Sequence, residues 1–277
     1  MTMNDNTTVP SDGAHAFDVR AFARTAQGNM REEIDTAEYA ERRLPNDVLM
    51  ALRFLRDLEA STMAHLRNVL VTATHKDARV TAFLVSWAFE KFWIADAVQM
   101  VLEANDGGTR AQADSTAARH DRIEAPDRRG PVMRAISAMR IGTPIVAVHM
   151  ASGLIDDWIT RAAYERAVEV AESPSLTKTV AKLLGIKQRH SEFFEEEARR
   201  RLSSTPRAIR LANRTLGHLA WPLGSIGSSD ETRTFFEQFT FGGAEGAARA
   251  GAIERGIASL PGVSAAVARD VRERLVP

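Results

Sequence analysis

From about residue 17 onward, apolar positions recur three and four apart along most of the chain, and the two-residue alternation of strands is scarce. The pattern predicts an all-helical protein. A first amphipathic stretch runs from about 17 to 43. Leu44-Pro45-Asn46-Asp47 then opens a long helix, with proline near the first turn where its missing N–H costs nothing, and an apolar stripe of Leu55, Thr62, Leu66, Val69 and Ala73. Thr74-His75-Lys76-Asp77 breaks the pattern before a second helix, striped by Leu84, Trp87, Ala88, Ala95, Val98 and Leu102. Residues 105–131 are rich in Gly, Asp, Ala, Arg and Pro and have no periodicity. So long a loop inside a compact domain needs a purpose, and a crossover between two helix pairs supplies one.

A third helix is expected from about 131 to 172, with a weak point at Gly142-Thr143-Pro144 and a stripe of Val146, Met150, Gly153, Tyr164, Val168 and Ala171. Ser173-Pro174-Ser175 stops it and starts a fourth over about 176–202, striped by Val180, Leu184, Phe194, Ala198 and Leu202. A basic helix to Leu216, a turn at Trp221-Pro222-Leu223-Gly224 and helices over 232–241 and 244–275 complete the chain. The expected division is a disordered arm over 1–16, a helical bundle over 17–225 and a C-terminal helical extension over 226–277.

Each of the four stripes carries an ionisable residue where an apolar one belongs: Glu59, Lys91, Asp157 and Lys187. An ion deep in a bundle costs several kcal/mol unless it is paired. Two acids and two bases on facing helices therefore predict a core ion cluster. The bland alternative is that the lysine stems run along apolar surface and deliver their ammonium groups to water. His190 follows Lys187 by three residues and lies on nearly the same face. It is a candidate ligand or, more simply, a hydrogen-bonded core histidine. His65 and His149 lie one or two turns from this layer and are read as structural. Tyr164, two turns beyond Asp157, is placed to line a pocket. Glu195-Glu196-Glu197 and Arg199-Arg200-Arg201 read as a solvated helix face with ion pairs four apart.

Composition narrows the chemistry. The 277 residues contain no cysteine, which removes disulfides, thiolate catalysis and cysteine-held metals. Basic and acidic residues balance at 36 each, so nothing favours nucleic acid as a partner. No run of about 18 apolar residues exists to span a membrane. The polar stretch from Met1 to Ala14 lacks the apolar centre of a signal peptide, and a cytoplasmic location is the expectation.

Two stretches carry a family resemblance. Ile186-Lys187-Gln188-Arg189-His190 and the segments around it, from Tyr164-Glu165-Arg166 through Ser173-Pro174-Ser175-Leu176 to Ala198-Arg199-Arg200-Arg201-Leu202, resemble the second half of ferritin-like di-iron proteins. They look most like the bacterial group related to acyl carrier protein desaturases. Trp87-Ala88-Phe89-Glu90-Lys91-Phe92-Trp93-Ile94 is similar to that group's second-helix motif, and the likeness extends over roughly 45–225. It implies an all-α, ferritin-like four-helix bundle with a long crossover between helices 2 and 3, an N-terminal helical arm and a C-terminal extension. It also implies a degenerate metal site. Glu59 matches the first-helix glutamate, Asp157 stands for the third and His190 is kept. Lys91 and Lys187 stand where the two bridging glutamates would be, and Ile94 stands where a histidine would be.

Three functions follow as expectations. The first is a ferritin-like protein without the usual di-iron centre, binding a small molecule or catalysing a non-oxidative step in its core. Lys91, Lys187, Glu59 and Asp157 are then the catalytic candidates, because a desolvated lysine serves as nucleophile or base. The second is an iron or manganese oxidase or desaturase, whose ligands would be Glu59, Glu90, Asp157 and His190. Glu90 joins that set only after a rotation of about 100° around its helix. The third is a non-catalytic interaction protein, a homodimer through helix faces.

Overall fold

The computed structural model describes residues 17–105, 142–225 and 228–277, and every regular element among them is helical. The arm expected over 1–16, the crossover expected after Asn105 and the third helix expected to begin near 131 fall, up to residue 141, outside the described residues.

Four helices carry the core: α3 (Asn46–Ala60), α5 (Ala78–Asn105), α6 (Pro144–Ala171) and α7 (Pro174–Ser204). α6 packs along α7 and α3 along α5, and further contacts join α3 to α6 and α5 to α7. Their ends follow from local chemistry. Asp77 accepts the Val80 N–H at 3.0 Å and so caps α5. Glu172, in the left-handed region at φ 45°, closes α6, and Ser173 with Pro174 in the first turn opens α7. Most of the predicted apolar stripes lie in the core: Leu55, Leu66 and Val69, then Leu84, Val98 and Leu102, then Val146 and Met150, then Val180, Phe194 and Leu202 are buried, while Ala73, Val168, Ala171 and Leu184 are half-buried.

The sequence pattern differs from the structure in three places. The stretch over 17–43 is not one amphipathic helix but α1 (Val19–Arg24), a 3₁₀ turn (Arg31–Glu33) and α2 (Thr36–Glu41), because Asp18 and Asp35 each cap a new start. The helix expected to run on to Ala73 is interrupted at Ser61, which separates α3 from α4 (Thr62–Leu70). Gly224 explains the close packing there: a Cβ on it would lie 2.3 Å from Ser61 Oγ, and its φ of 82° suits glycine. The C-terminal helical stretch splits into α10 (Gly243–Ala258) and α11 (Ala265–Glu273) around Leu260-Pro261-Gly262.

α8 (Pro206–Leu216) packs on α6 and α7, and α9 (Asp230–Phe241) packs on α3 and α6. Phe236 of α9 seats on Phe54 of α3 with ring centroids 4.5 Å apart. The N-terminal segment is tied to the long helices by hydrogen bonds and by the Arg31–Asp96 ion pair at 2.8 Å. Phe17 N–H donates to Glu196 at 2.8 Å, Tyr39 OH meets Thr179 at 2.8 Å, and Leu44 N–H donates to the buried Asn105 side chain at 2.7 Å.

α6 and α7 approach closely at Gly153. A Cβ there would stand 2.6 Å from the Phe194 ring, which is held edge-on by Phe83 and Trp87 at 5.2 and 5.7 Å. That ring has little room to retreat, so the clash outweighs the helix propensity alanine would add. Gly153→Ala is expected to destabilise the protein by roughly 1–3 kcal/mol in denaturant unfolding.

Candidate functional site

A row of alternating charges crosses the core. Its members come from all four long helices, each placed by a stripe position that faces the others. Ser191 Oγ of α7 donates to Asp157 Oδ2 of α6. Asp157 Oδ1 pairs with Lys187 Nζ of α7 at 2.7 Å. Lys187 Nζ also reaches Glu59 Oε1 of α3 at 3.4 Å, and Glu59 Oε2 pairs with Lys91 Nζ of α5. Lys187 is fully buried, Glu59 is 1% exposed, and Lys91 and Asp157 are 4% exposed. Neither lysine delivers its ammonium to water.

The two lysines differ in setting. Burial disfavours the charge of Lys187, but Asp157 and Glu59 together outweigh it and hold the ammonium above its ordinary range. Burial also acts on Lys91, where Glu59 opposes it only in part and Lys187 adds like-charge repulsion. The Lys91 pKa lies below its ordinary value. Glu59, despite its burial, is held low by the two ammonium groups. Tyr164, buried beside this row, has its phenol pushed well up, by burial first and by the Glu59 carboxylate second.

Lys91 is also where the row meets a cavity. A pocket of about 30 Å³ lies between α3, α4, α5, α6 and the Leu223-Gly224 turn, with one wall from α7. Leu58, Leu84, Trp87, Met150 and Phe194 give it apolar walls; Lys91, Asp156, His65 and His149 bring polar atoms to it. Asp156 is fixed by the Leu223 N–H, which donates to Oδ1 at 2.6 Å. Burial lifts its carboxyl to about 6, against the pull of Lys91 and Lys187. His65 packs against Trp87 with ring centroids 6.4 Å apart, and His149 Nδ1 shares a hydrogen bond with Thr74 Oγ1 at 2.8 Å. Burial lowers both histidines to about 4. Expected as merely structural, both also line this pocket.

His190 and Glu90 form a separate pair. His190 Nε2 and Glu90 Oε2 are 2.7 Å apart, and Arg189 and the Gln27 N–H, the latter at 2.7 Å, converge on Glu90 Oε1. Burial raises the Glu90 carboxyl, and burial together with Lys187 and Lys91 drives His190 well below its ordinary value. A neutral imidazole hydrogen-bonded in the core is the simpler of the two readings of His190, and Glu90 is engaged by it and by the N-terminal segment. The face of α7 expected to be solvated is only partly so. Glu195 and Arg199 pair in the open at 2.8 Å, but Glu197 is fully buried and gathers Arg79, Arg200 and Arg201 at 2.7–3.0 Å. It turns inward because Arg79 on α5 reaches over to it.

Asp156 and Ser191 were not among the sequence candidates. The pair Asp156-Asp157 in an apolar stripe was one available signal. Another was the use of cations: the chain has 31 arginines but only five lysines, and two of those five lie in this row. Among the described residues no group of three or more His, Asp or Glu side chains is placed to hold a metal ion. No helix among them is long and apolar enough to cross a membrane. No family model, curated protein or solved structure matches the chain.

Removing one member of the row leaves a buried charge without its partner. Lys187→Met is expected to cost about 3–5 kcal/mol, and adding Asp157→Asn to it should restore a large part of that loss. A double-mutant cycle by chemical denaturation reads the coupling. The two pocket histidines give a pH dependence whose sign is fixed. Between about 4 and 6.5 the unfolded chain takes up protons on them that the folded chain does not. Stability therefore rises with pH across that window. Asp156, raised to about 6, and Glu90, also raised, run the other way, while His190, lowered like the pocket pair, adds to the histidine effect. Melting scans should show the midpoint falling by roughly 5 °C or more on going from pH 6.5 to pH 4, and falling less in a His65→Gln/His149→Gln variant.

Proposed function

We propose that this chain is a ferritin-like bundle in which a row of ion pairs has replaced the di-metal centre, and that it binds a small molecule, or acts on one without oxidation, in the pocket beside Lys91. The observation that carries this reading is the seat of Lys187. Its ammonium lies 2.7 Å from Asp157 and 3.4 Å from Glu59, with no exposure to solvent. An ammonium donates protons and offers no lone pair to a metal. It stands between the carboxylates that would have to share a cation and neutralises them itself.

The remaining donors do not fit a di-metal centre either. Glu59 is taken by two ammonium groups, Asp157 by Lys187 and Ser191, and Glu90 and His190 by each other and by Arg189. With four donors already neutralised by fixed cations or hydrogen bonds, a pair of divalent ions would find few free lone pairs. The resemblance of residues 45–225 to ferritin-like proteins supports the architecture, and the four long helices and their pairing agree with it. The pocket supports the binding role by its apolar walls and its few convergent polar groups with displaced pKa values, and its volume of about 30 Å³ confines any occupant to a few atoms unless the walls move.

Metal content tests the proposal. Protein purified without chelator and then offered iron(II) and manganese(II) should retain neither at near-stoichiometric level, and its melting temperature should not change with EDTA. A Lys91→Glu/Lys187→Glu variant should gain metal under the same treatment. Two metals retained per wild-type chain would overturn the reading.

A further inference from the structure

We infer that the outward face of α5 is an interface between two copies of this chain, paired antiparallel about a twofold axis at Val85. That face shares no residue with the pocket beside Lys91.

The first half of α5 is apolar on nearly every side. Phe83, Leu84 and Trp87 fill the core, yet Ala78, Ala82, Val85, Phe89 and Phe92 on the opposite side are all exposed. Their spacing of three and four residues sets them in one line along the helix. A helix apolar all round belongs in an interior, of one chain or between two. The charges of this stretch are spent elsewhere: Arg79 reaches Glu196 and Glu197 of α7, Glu90 meets His190, and Lys91 meets Glu59. Six large apolar side chains are exposed among the described residues, and three of them stand on this strip. Two more, Met63 and Val71, belong to α4 and its C-terminal cap, and α4 packs along α5.

The chemistry of the strip selects the partner. Without a basic residue it offers nothing to the phosphates of a nucleic acid or of an anionic lipid surface. It suits another apolar helix face, and the order of its side chains says which one. Bulk grows along the strip, from Ala78 and Ala82 through Val85 to Phe89 and Phe92. In an antiparallel pair with Val85 on the axis, each Phe92 comes opposite the partner's Ala78 and each Phe89 beside the partner's Ala82. Large side chains then meet small ones, and the helices approach closely. A parallel pair would set ring on ring and leave the alanines facing a gap. A twofold contact of this kind is self-complementary and closes after two copies.

The area suits such a contact. Val85, Phe89 and Phe92 are 55%, 46% and 56% exposed. With the two alanines the strip opens roughly 350 Å² per chain, about two-fifths of the ~800 Å² that a stable interface buries on each side. An interface is apolar at its centre and polar at its rim. The strip supplies the centre. α4, and the N-terminal segment whose Gly28 lies beside the Phe89 ring, are placed to supply the rim.

The test is the mass of the full-length protein by light scattering, at concentrations up to roughly 100 μM, enough to populate a complex of micromolar affinity. The expected mass is twice the 30.4 kDa of one chain. Val85→Lys sets two ammonium groups against each other on the axis. It should weaken association about a hundredfold and leave the helical circular dichroism unchanged. The chain has no cysteine, so an introduced one reports its own neighbour. Val85→Cys should be captured as a disulfide-linked dimer on mild oxidation, because facing positions of closely packed helices lie within disulfide reach. Met50→Cys, on an equally exposed position of α3, should not. Mixed Ala78→Cys and Phe92→Cys chains should cross-link to each other in preference to themselves. A single-chain mass at every concentration overturns the pairing, whatever else covers the strip. A dimer that survives Val85→Lys, or Met50→Cys cross-linking as fast as Val85→Cys, overturns it too. Preferred self-linking of Phe92→Cys overturns the antiparallel arrangement.

Discussion

The pairing of four buried charges, one from each long helix, is the constraint on which the rest of this structure depends. Glu59, Lys91, Asp157 and Lys187 are tolerable in a core only because each faces an opposite charge. Turning any one helix by a single residue would rotate its charged side chain by about 100° and strand it among Leu, Ile and Phe. Apolar side chains allow many nearly equivalent packings, whereas this row allows one. The register of α3, α5, α6 and α7 is thereby fixed at a single layer, and the aromatic packing of Phe83, Trp87, Phe193 and Phe194 is built beside it.

Two further polar centres extend the same logic outward. Glu197, fully buried, binds α7 to α5 through Arg79, and its neighbour Glu196 takes hold of the Phe17 backbone. Glu90 joins His190 and Arg189 of α7 and accepts the Gln27 N–H. The N-terminal segment, with two short helices of its own, is thus anchored to carboxylates that the long helices have already positioned. Desolvation makes these contacts selective, because a carboxylate withdrawn from water accepts only well-placed donors.

The helical class and the core stripes were legible because amphipathic periodicity is a local property of the chain. Lys91 and Lys187 announced themselves for the same reason, as charges in apolar stripes. What periodicity could not show was the partner of each charge. His190 was grouped with Lys187 by helix face, yet its hydrogen bond goes to Glu90, one position along α5 from Lys91. Glu197 looked solvated because its own helix offers three acids and three bases in a row. Its burial depends on Arg79, more than a hundred residues away. Asp156 was overlooked because the adjacent Asp157 satisfied the stripe, and only the fold brings the Leu223-Gly224 turn across to give it a role. The close approach of Gly224 to Ser61 is equally beyond local pattern, since it joins two segments far apart in the chain.

The row has two unlike ends. At Ser191 it stops on a buried neutral hydroxyl, and at Lys91 it meets the cavity. Lys187, held protonated between two carboxylates, has no lone pair with which to pass a proton along the row. An occupant of the cavity would therefore meet the row at Lys91 alone, since Glu59, Lys187 and Asp157 do not line it, and would leave the interior pairs of the register untouched.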